Sequence, residues 1–231
     1  MIIITGVTGG IGRFIEEQFA GISTEPIIGI YHNSLPPMSN DSGKITYIKA
    51  DLTIEADVIN MVGSLGSGKD KIKLIHCAGI TTNAMLHKMD FSDWQKVISA
   101  NLDSSFLITK YLLPTMREQC FGKIIFISSV VPQIGVVGTS SYAASKAGLW
   151  GLMKTIVKEN ATKNITCNTL NLGYFNIGMI KDVPEQILNQ IIEIVPSKKL
   201  GNPMDIFNAI QFIFSSDYLT GSSLNINGGL Y

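Results

Sequence analysis

The chain alternates, from one end to the other, short β-branched apolar runs with longer amphipathic stretches, and this alternation restricts its possible folds more than any other feature. Several runs are apolar on both faces, which is typical of strands that helices cover on each side. Parallel strands also need long connections, which such helices supply. The predicted strands are residues 2–5, 26–31, 45–49, 72–77, 123–128, 165–170 and 223–226, and the predicted helices are residues 11–20, 54–63, 90–118, 140–160, 184–194 and 203–215.

This order of elements predicts an α/β fold, a doubly wound and mostly parallel sheet of about seven strands with helices on both faces (Rossmann-like). We expect residues 1–231 to form a single domain, because no linker, repeat or low-complexity block divides the chain. Ligands of such sheets bind beyond the carboxyl ends of the strands, so the chemistry is expected there. Pro114 is expected to bend or end the long helix 90–118.

Charge and cysteine content exclude several kinds of partner. The 18 Lys and Arg residues balance 18 Asp and Glu residues, so neither nucleic acid nor a membrane is an expected partner. The three cysteines, Cys77, Cys120 and Cys167, are too far apart for a disulfide framework or a zinc site. The sequence therefore predicts no bound metal. It has no recognisable signal peptide or membrane-spanning stretch, which predicts a cytoplasmic protein.

The first predicted strand leads directly into a glycine-rich loop and then into a helical pattern. Glycines there permit a tight turn, let the backbone approach a pyrophosphate, and direct the helix amino terminus at the phosphates. The spacing fits two registers, Gly6, Gly10 and Gly12 or Gly6, Gly9 and Gly12, so the subfamily stays open at this point. The predicted dinucleotide loop consists of Gly6, Thr8, Gly9, Gly10, Ile11 and Gly12.

The residues after the second strand bear on the choice of cofactor. Folds of this kind that bind NAD usually place an Asp or Glu there, whereas this chain has Tyr31, His32 and Asn33. The missing acid and the available hydrogen-bond donors favour NADP(H) over NAD(H), although no Arg is present. The ends of the third and fourth strands are expected to line the adenine and ribose through Asp51, Leu52, Cys77, Ala78 and Gly79.

A second group of polar residues is predicted at the reacting end. Tyr142 and Lys146 lie four residues apart in a helical stretch, so both side chains emerge on one helix face. A nearby ammonium favours a phenolate, and we therefore expect Lys146 to lower the pKa of Tyr142. Ser129 follows the fifth strand, and Asn101 occupies an unusual interior position of a helix.

In this order and at this spacing, the motifs resemble the short-chain dehydrogenase/reductase family, of the short, single-domain type. The resemblance covers the whole chain and includes the closing Asn-Ile-Asn-Gly-Gly at 225–229. The longer relatives that modify nucleotide sugars usually lack this ending, which favours the short subfamily. Within it, residues 78–94 and 201–206 are most similar to the beta-ketoacyl-acyl-carrier-protein reductases.

The resemblance implies roles for the predicted residues. Tyr142 would exchange a proton with the substrate oxygen, and Lys146 would lower the pKa of that phenol and hold the nicotinamide ribose. Ser129 would polarise the carbonyl, and Asn101 would anchor a water that carries protons away. Gly173 and the backbone around Phe175 would hold the carboxamide. The family also implies a homotetramer built through helices 90–118 and 140–160 and the last strand.

Departures from the family pattern leave the substrate open. Leu172 and Ile177 replace the usual Pro and Thr, and Gly9 and Thr82 stand where the carrier-protein reductases often have Arg. The expected reaction interconverts a small-molecule ketone and a secondary alcohol, with a thioester-linked 3-oxoacyl group as one candidate. The alternatives are a sugar or polyol intermediate, or a nucleotide-binding regulator without catalysis. The expected substrate pocket comprises Pro132, Gln133, Val136, Gly178 and Met179, and the basic residues that could receive an acidic carrier protein are Arg117 and Lys163.

Overall fold

The structure is a computed structural model that describes residues 1–34, 44–66 and 70–231. Seven strands form one sheet in the order β3-β2-β1-β4-β5-β6-β7, and every neighbouring pair is parallel. The predicted doubly wound sheet is confirmed, and each strand agrees with its predicted bounds to within two residues. The strands are β1 Ile2–Thr5, β2 Ile27–Tyr31, β3 Ile45–Lys49, β4 Lys73–His76, β5 Gly122–Ser129, β6 Ile165–Leu172 and β7 Ser223–Ile226.

Apart from the short helix α5, the helices lie where the amphipathic stretches predict them, with one subdivision. The predicted helix 90–118 consists of α3, a π-helical turn at Ser99–Asp103, and α4. Pro114 lies inside α4, so the helix does not end there, and the alternative expectation, that Pro114 bends the helix, stays a prediction. Its ring is exposed, while Leu112 and Met116 on either side of it are buried and hold the helix on the sheet. The helices are α1 Gly10–Ile22, α2 Glu55–Ser64, α3 Phe91–Ile98, α4 Ser104–Glu118, α5 Val131–Ile134, α6 Ser140–Asn160, α7 Glu185–Ile194 and α8 Pro203–Ser215.

Two apolar cores enclose the sheet, one on each face. Alternate residues of a strand point to opposite faces, so Ile3 joins the core formed with α2, α4 and α6, whereas Ile2 and Ile4 join the core formed with α1 and α8. The strand order reverses direction between β1 and β4, which opens a crevice at the carboxyl ends of these strands. In the part of the chain that the structure describes, no helix is both long and apolar enough to cross a membrane.

Candidate active site

The glycine loop after β1 is a site of close backbone packing. Gly6 has a positive φ of 69°, and a Cβ there would lie 2.8 Å from the backbone of Ala78. A Cβ on Gly12 would lie 2.3 Å from the Gly6 oxygen, which itself accepts a hydrogen bond of 2.9 Å from the Gly9 amide. A Cβ on Gly9 would lie 3.3 Å from the same oxygen, whereas a Cβ on Gly10 would lie 2.6 Å from the backbone of Gly178 in the segment after β6. The packing is therefore tightest at Gly6, Gly10 and Gly12, which is the first of the two registers.

A cavity of about 510 Å³ lies between this loop and the carboxyl ends of β2, β3 and β4. Most of the predicted cofactor residues line it, whereas Gly10 and Gly12 do not. Its lining includes Gly6, Thr8, Gly9, Tyr31, His32, Asn33, Asp51, Leu52, Cys77, Ala78 and Gly79.

His32 and Asp51 meet at the edge of this cavity, a pairing that sequence analysis missed. The imidazole Nε2 lies 3.3 Å from Asp51 Oδ2, while the other carboxylate oxygen accepts hydrogen bonds from the amide (2.9 Å) and the hydroxyl (2.7 Å) of Thr53. Partial burial pushes the pKa of Asp51 upward, but the Thr53 hydrogen bonds and the neighbouring His32 outweigh it and lower the pKa. The carboxylate is thus already engaged by protein groups.

A second cavity, of about 400 Å³, lies above the ends of β5 and β6. Ile11, Cys77 and Gly79 line it at the glycine-loop side, and because Cys77 and Gly79 also line the first cavity, the two spaces meet at the loop after β4. The predicted residues Ser129, Tyr142, Lys146, Gly173 and Phe175 also line this second cavity.

The outer wall of the second cavity is apolar and differs in part from the expectation. Val136 and Met179 line it as expected, whereas Pro132, Gln133 and Gly178 are not part of the lining. Gln133 instead donates a hydrogen bond to Asn225, at 3.2 Å. Sequence analysis missed four apolar residues that have helix-like spacing, a signal that could have identified them: Ile180, Val183, Ile187 and Ile191.

Tyr142 and Lys146 share one face of α6, as predicted, but they do not interact as predicted. The Lys146 amine donates a 2.8 Å hydrogen bond to the Ile127 carbonyl and lies 5.7 Å from the centre of the Tyr142 ring. Burial lowers the pKa of Lys146 to about 8. Burial also raises the pKa of Tyr142. A hydrogen bond with Ser129 lowers this pKa only in part, and the neighbouring Tyr174 raises it further. The expectation that Lys146 lowers the phenol pKa is therefore wrong, because desolvation dominates.

Asn101 is fully buried in the π-helical turn, and its side chain joins two elements of the site. Its amide nitrogen donates to the Ile80 carbonyl (3.0 Å) and to the Ser145 hydroxyl (2.9 Å), and its amide oxygen accepts from the Ile80 backbone nitrogen (2.8 Å). Both amide protons are therefore used within the protein, and the side chain holds the loop after β4 against the helix that carries Tyr142 and Lys146.

His76, the last residue of β4, is a buried residue that sequence analysis missed. Its Nδ1 lies 3.0 Å from the Thr5 hydroxyl and its Nε2 lies 3.2 Å from the Ser104 hydroxyl. Burial, together with the nearby positive charge of Lys146, lowers the pKa of His76 to about 3. A polar residue at the carboxyl end of a buried strand, the end where ligands of such sheets bind, is the sequence signal that could have identified it.

The burial of His76 leads to a prediction for the stability of the protein at acid pH. A histidine whose pKa is depressed on folding stabilises the protein fully above its unfolded pKa near 6.5 and loses that contribution as pH falls towards the folded value of about 3. Between pH 6.5 and 5 the loss from this one group is about 2 kcal/mol. Denaturant titrations at these two pH values should show a smaller loss for His76→Gln. The exposed control His87→Asn should keep the wild-type loss, and an equal loss in His76→Gln would contradict the assignment.

The joined cavities fit a dinucleotide in two respects. The positions closest to the loop backbone, Gly6 and Gly12, have no room for a Cβ, and α1 begins at Gly10 with no acidic residue in its first turn to oppose a phosphate. Within residues 1–34, 44–66 and 70–231, no three His, Cys, Asp or Glu side chains lie together as a metal site would require.

Comparison with known proteins gives a consistent result. The family model for short chain dehydrogenase matches residues 1–188. The human (3R)-3-hydroxyacyl-CoA dehydrogenase is 39% identical over 249 aligned residues, which cover 100% of this chain and 95% of that protein. An acetoacetyl-CoA reductase of Allochromatium vinosum is 32% identical, with 99% and 97% covered. A 3-oxoacyl-acyl-carrier-protein reductase of Rickettsia bellii is 34% identical, with 99% and 95% covered. With its glycine loop, parallel sheet and these full-length relatives, the protein belongs to the short-chain dehydrogenase family and is an oxidoreductase.

Proposed function

We propose that this protein reduces the carbonyl group of 3-oxoacyl thioesters to a secondary alcohol with NADPH. The observation that carries the proposal is the second cavity, where a phenol of raised pKa and the Ser129 hydroxyl lie together beside an apolar wall. A phenol that stays protonated at neutral pH is ready to give its proton, as reduction requires. The relatives named above for 3-hydroxyacyl, acetoacetyl and 3-oxoacyl substrates support the thioester class.

Each polar residue has a proposed part in the reaction. When bound, the nicotinamide supplies the hydride. Tyr142 donates its hydroxyl proton to the carbonyl oxygen, and Ser129 hydrogen-bonds that oxygen as negative charge develops on it. Lys146 contributes positive charge near the resulting phenolate and holds the ribose, and Asn101 keeps the loop after β4 and α6 in register. Gly10 and Gly12 allow the close packing of the loop, since neither has room for a Cβ.

The apolar wall favours an acyl chain over a sugar. Ile180, Val183 and Ile187 offer no hydrogen-bond donors or acceptors from their side chains to the hydroxyl groups of a polyol. NADPH oxidation should therefore be fast with acetoacetyl-CoA and longer 3-oxoacyl-CoA esters and at least tenfold slower with a panel of keto sugars. Faster turnover of a sugar would replace the substrate class, and nucleotide binding without any turnover would favour a regulatory protein.

The cofactor preference is proposed to depend on His32. The engaged Asp51 carboxylate and the uncharged end of β2 leave space for a 2'-phosphate, which His32 and Asn33 can reach as donors. We expect His32→Asp to lower the ratio of kcat/KM for NADPH to kcat/KM for NADH by about 10- to 100-fold, because a new carboxylate repels the phosphate and binds a free 2'-hydroxyl. The neutral control His32→Asn should change the ratio much less. A wild-type enzyme that prefers NADH would contradict this proposal.

We further infer a cytoplasmic homotetramer that assembles through α4, α6 and the C-terminal strand. Phe106 on α4 has 48% of its surface exposed in the single chain, which a partner subunit would cover. Light scattering coupled to size-exclusion chromatography measures the subunit number directly, and a monomer at micromolar concentration would contradict this inference.

A further inference from the structure

A continuous chain of buried hydrogen bonds passes through His76 and joins the first strand to α4. At one end the Thr5 hydroxyl oxygen accepts the backbone amides of Cys77 and Ala78, each at 3.1 Å. At the other end Ser104 donates to the carbonyl oxygen of Ala100 at 2.7 Å. Thr5, His76 and Ser104 are each no more than 1% exposed, so water does not compete for these bonds.

The direction of each proton in this chain follows from the groups already satisfied. The Thr5 oxygen accepts two amides, so its own proton is free to donate to His76 Nδ1. The Ser104 proton is taken by Ala100, so the Ser104 oxygen must accept from His76 Nε2. The imidazole is therefore neutral and carries its proton on Nε2. A second ring proton, on Nδ1, would have no acceptor, because the Thr5 oxygen already accepts two backbone amides.

This chain of hydrogen bonds ends beside the residues proposed for catalysis. Ala100 and Asn101 belong to the same π-helical turn, and Asn101 bonds both to the loop after β4 and to Ser145 on α6. Ser145 in turn donates to the Tyr142 carbonyl at 2.8 Å. His76 thus lies between two fixed points, the β1 end that holds the loop after β4 and the turn that holds α6.

We infer that His76 is a positioning residue. Its two ring nitrogens set the distance between the loop after β4 and the π-helical turn, and this distance keeps Asn101 and Tyr142 in the positions that the reaction needs. Its kinetic consequence rests on the proposed reductase function. The imidazole suits this task because its two nitrogens face opposite sides of one rigid ring. A phenyl ring of similar size keeps the packing but bonds to neither Thr5 nor Ser104.

The kinetic test compares His76→Phe with the packing control Phe126→Leu. The Phe126 ring contacts the imidazole edge-on at a centroid distance of 6.3 Å and takes no part in the hydrogen bonds. At a temperature where each variant is folded, His76→Phe should lower kcat for acetoacetyl-CoA at least tenfold and change KM for NADPH less than threefold. Phe126→Leu should lower the melting temperature but keep kcat within twofold. A wild-type kcat in His76→Phe, or an equal kcat loss in both variants, overturns the inference.

A second kinetic test asks whether the effects of two substitutions on kcat are additive. Ser104→Ala removes both the acceptor of the Nε2 proton and the donor to the Ala100 carbonyl, and it should lower kcat in the same direction as His76→Phe. If both act through one chain, the double variant should be no slower than His76→Phe alone, to within twofold. Independent losses that multiply would show that the two residues act separately and would contradict the inference.

A structural readout keeps this inference separate from the reductase proposal. The chain has three histidines, so nitrogen-15 histidine labelling with His32→Asn and His87→Asn variants assigns the His76 signals. At pH 7 these should be those of the neutral ring protonated at Nε2, and hydrogen exchange at the Ile80 amide should become at least tenfold faster in His76→Phe. A ring protonated at Nδ1, or unchanged Ile80 exchange, overturns the inference whether or not any carbonyl substrate is turned over.

Discussion

The variant Tyr142→Phe is expected to lower kcat for 3-oxoacyl thioester reduction by about 10²- to 10⁴-fold, the usual contribution of a positioned general acid. The ring remains to pack in the cavity, so the Kd for NADPH should change less than threefold. The raised pKa of Tyr142 gives this expectation its direction: at neutral pH the proton is present on the phenol and ready for transfer. Single-turnover measurements of NADPH oxidation with saturating acetoacetyl-CoA provide the rate.

A second tyrosine serves as the matched control for this variant. Tyr111 donates a 2.7 Å hydrogen bond to Glu55 on the protein surface, and neither residue lines a cavity. Tyr111→Phe loses a hydroxyl group in the same way and should keep kcat within twofold. Turnover by Tyr142→Phe at the wild-type rate would show that another group supplies the proton.

The second large effect is expected at Gly12. A Cβ at this position lies 2.3 Å from the Gly6 oxygen and 2.8 Å from the Gly6 carbonyl carbon, and neither backbone atom can move without displacing α1 or the loop. Gly12→Ala should therefore lower the free energy of unfolding by about 3 kcal/mol, the upper range for an overpacked site. It should also weaken NADPH binding at least tenfold, because the loop that approaches the pyrophosphate is displaced.

Gly21 on the same helix provides the control for Gly12→Ala. No atom lies within 4 Å of a Cβ built at Gly21, so Gly21→Ala meets no obstacle. The alanine has the higher helix propensity, and the variant should be more stable by up to about 1 kcal/mol, with unchanged NADPH binding. Denaturant titration and calorimetry measure the two quantities. Equal stabilities of the two variants would contradict the close packing described for the loop.

The sequence predicted the sheet well because most of its strands are short, β-branched runs that alternate with helical stretches. The runs of β1 and β2 are apolar on both faces, so they have no alternating pattern to mislead an assignment. The π-helical turn at Ser99–Asp103 was not predictable in this way, because one extra residue per turn barely alters the apolar period of a 29-residue stretch. Helix α5 was missed because four residues carry too little periodicity.

The residues of the site could be predicted where their function depends on residue type at the end of a strand. They could not be predicted where their function depends on tertiary packing. Ser129, Tyr142 and Lys146 follow from their positions after β5 and along α6. The direction of the Tyr142 pKa depends on how deeply the phenol is buried and where the Lys146 amine points, which spacing does not specify. The role of His76 depends on contacts with residues distant in sequence, 71 positions away at Thr5 and 28 at Ser104.

The most direct test of the account follows the hydride itself. Acetoacetyl-CoA should be reduced in the presence of NADPH that carries deuterium at C4 of the nicotinamide, on one prochiral face or the other, and the product analysed by mass spectrometry. We expect one deuterium at C3 of the hydroxyacyl product from one of the two labelled cofactors, and no product above background from Tyr142→Phe. Oxidation of the labelled NADPH with no deuterium in the product, or no oxidation with any thioester despite tight NADPH binding, would contradict it.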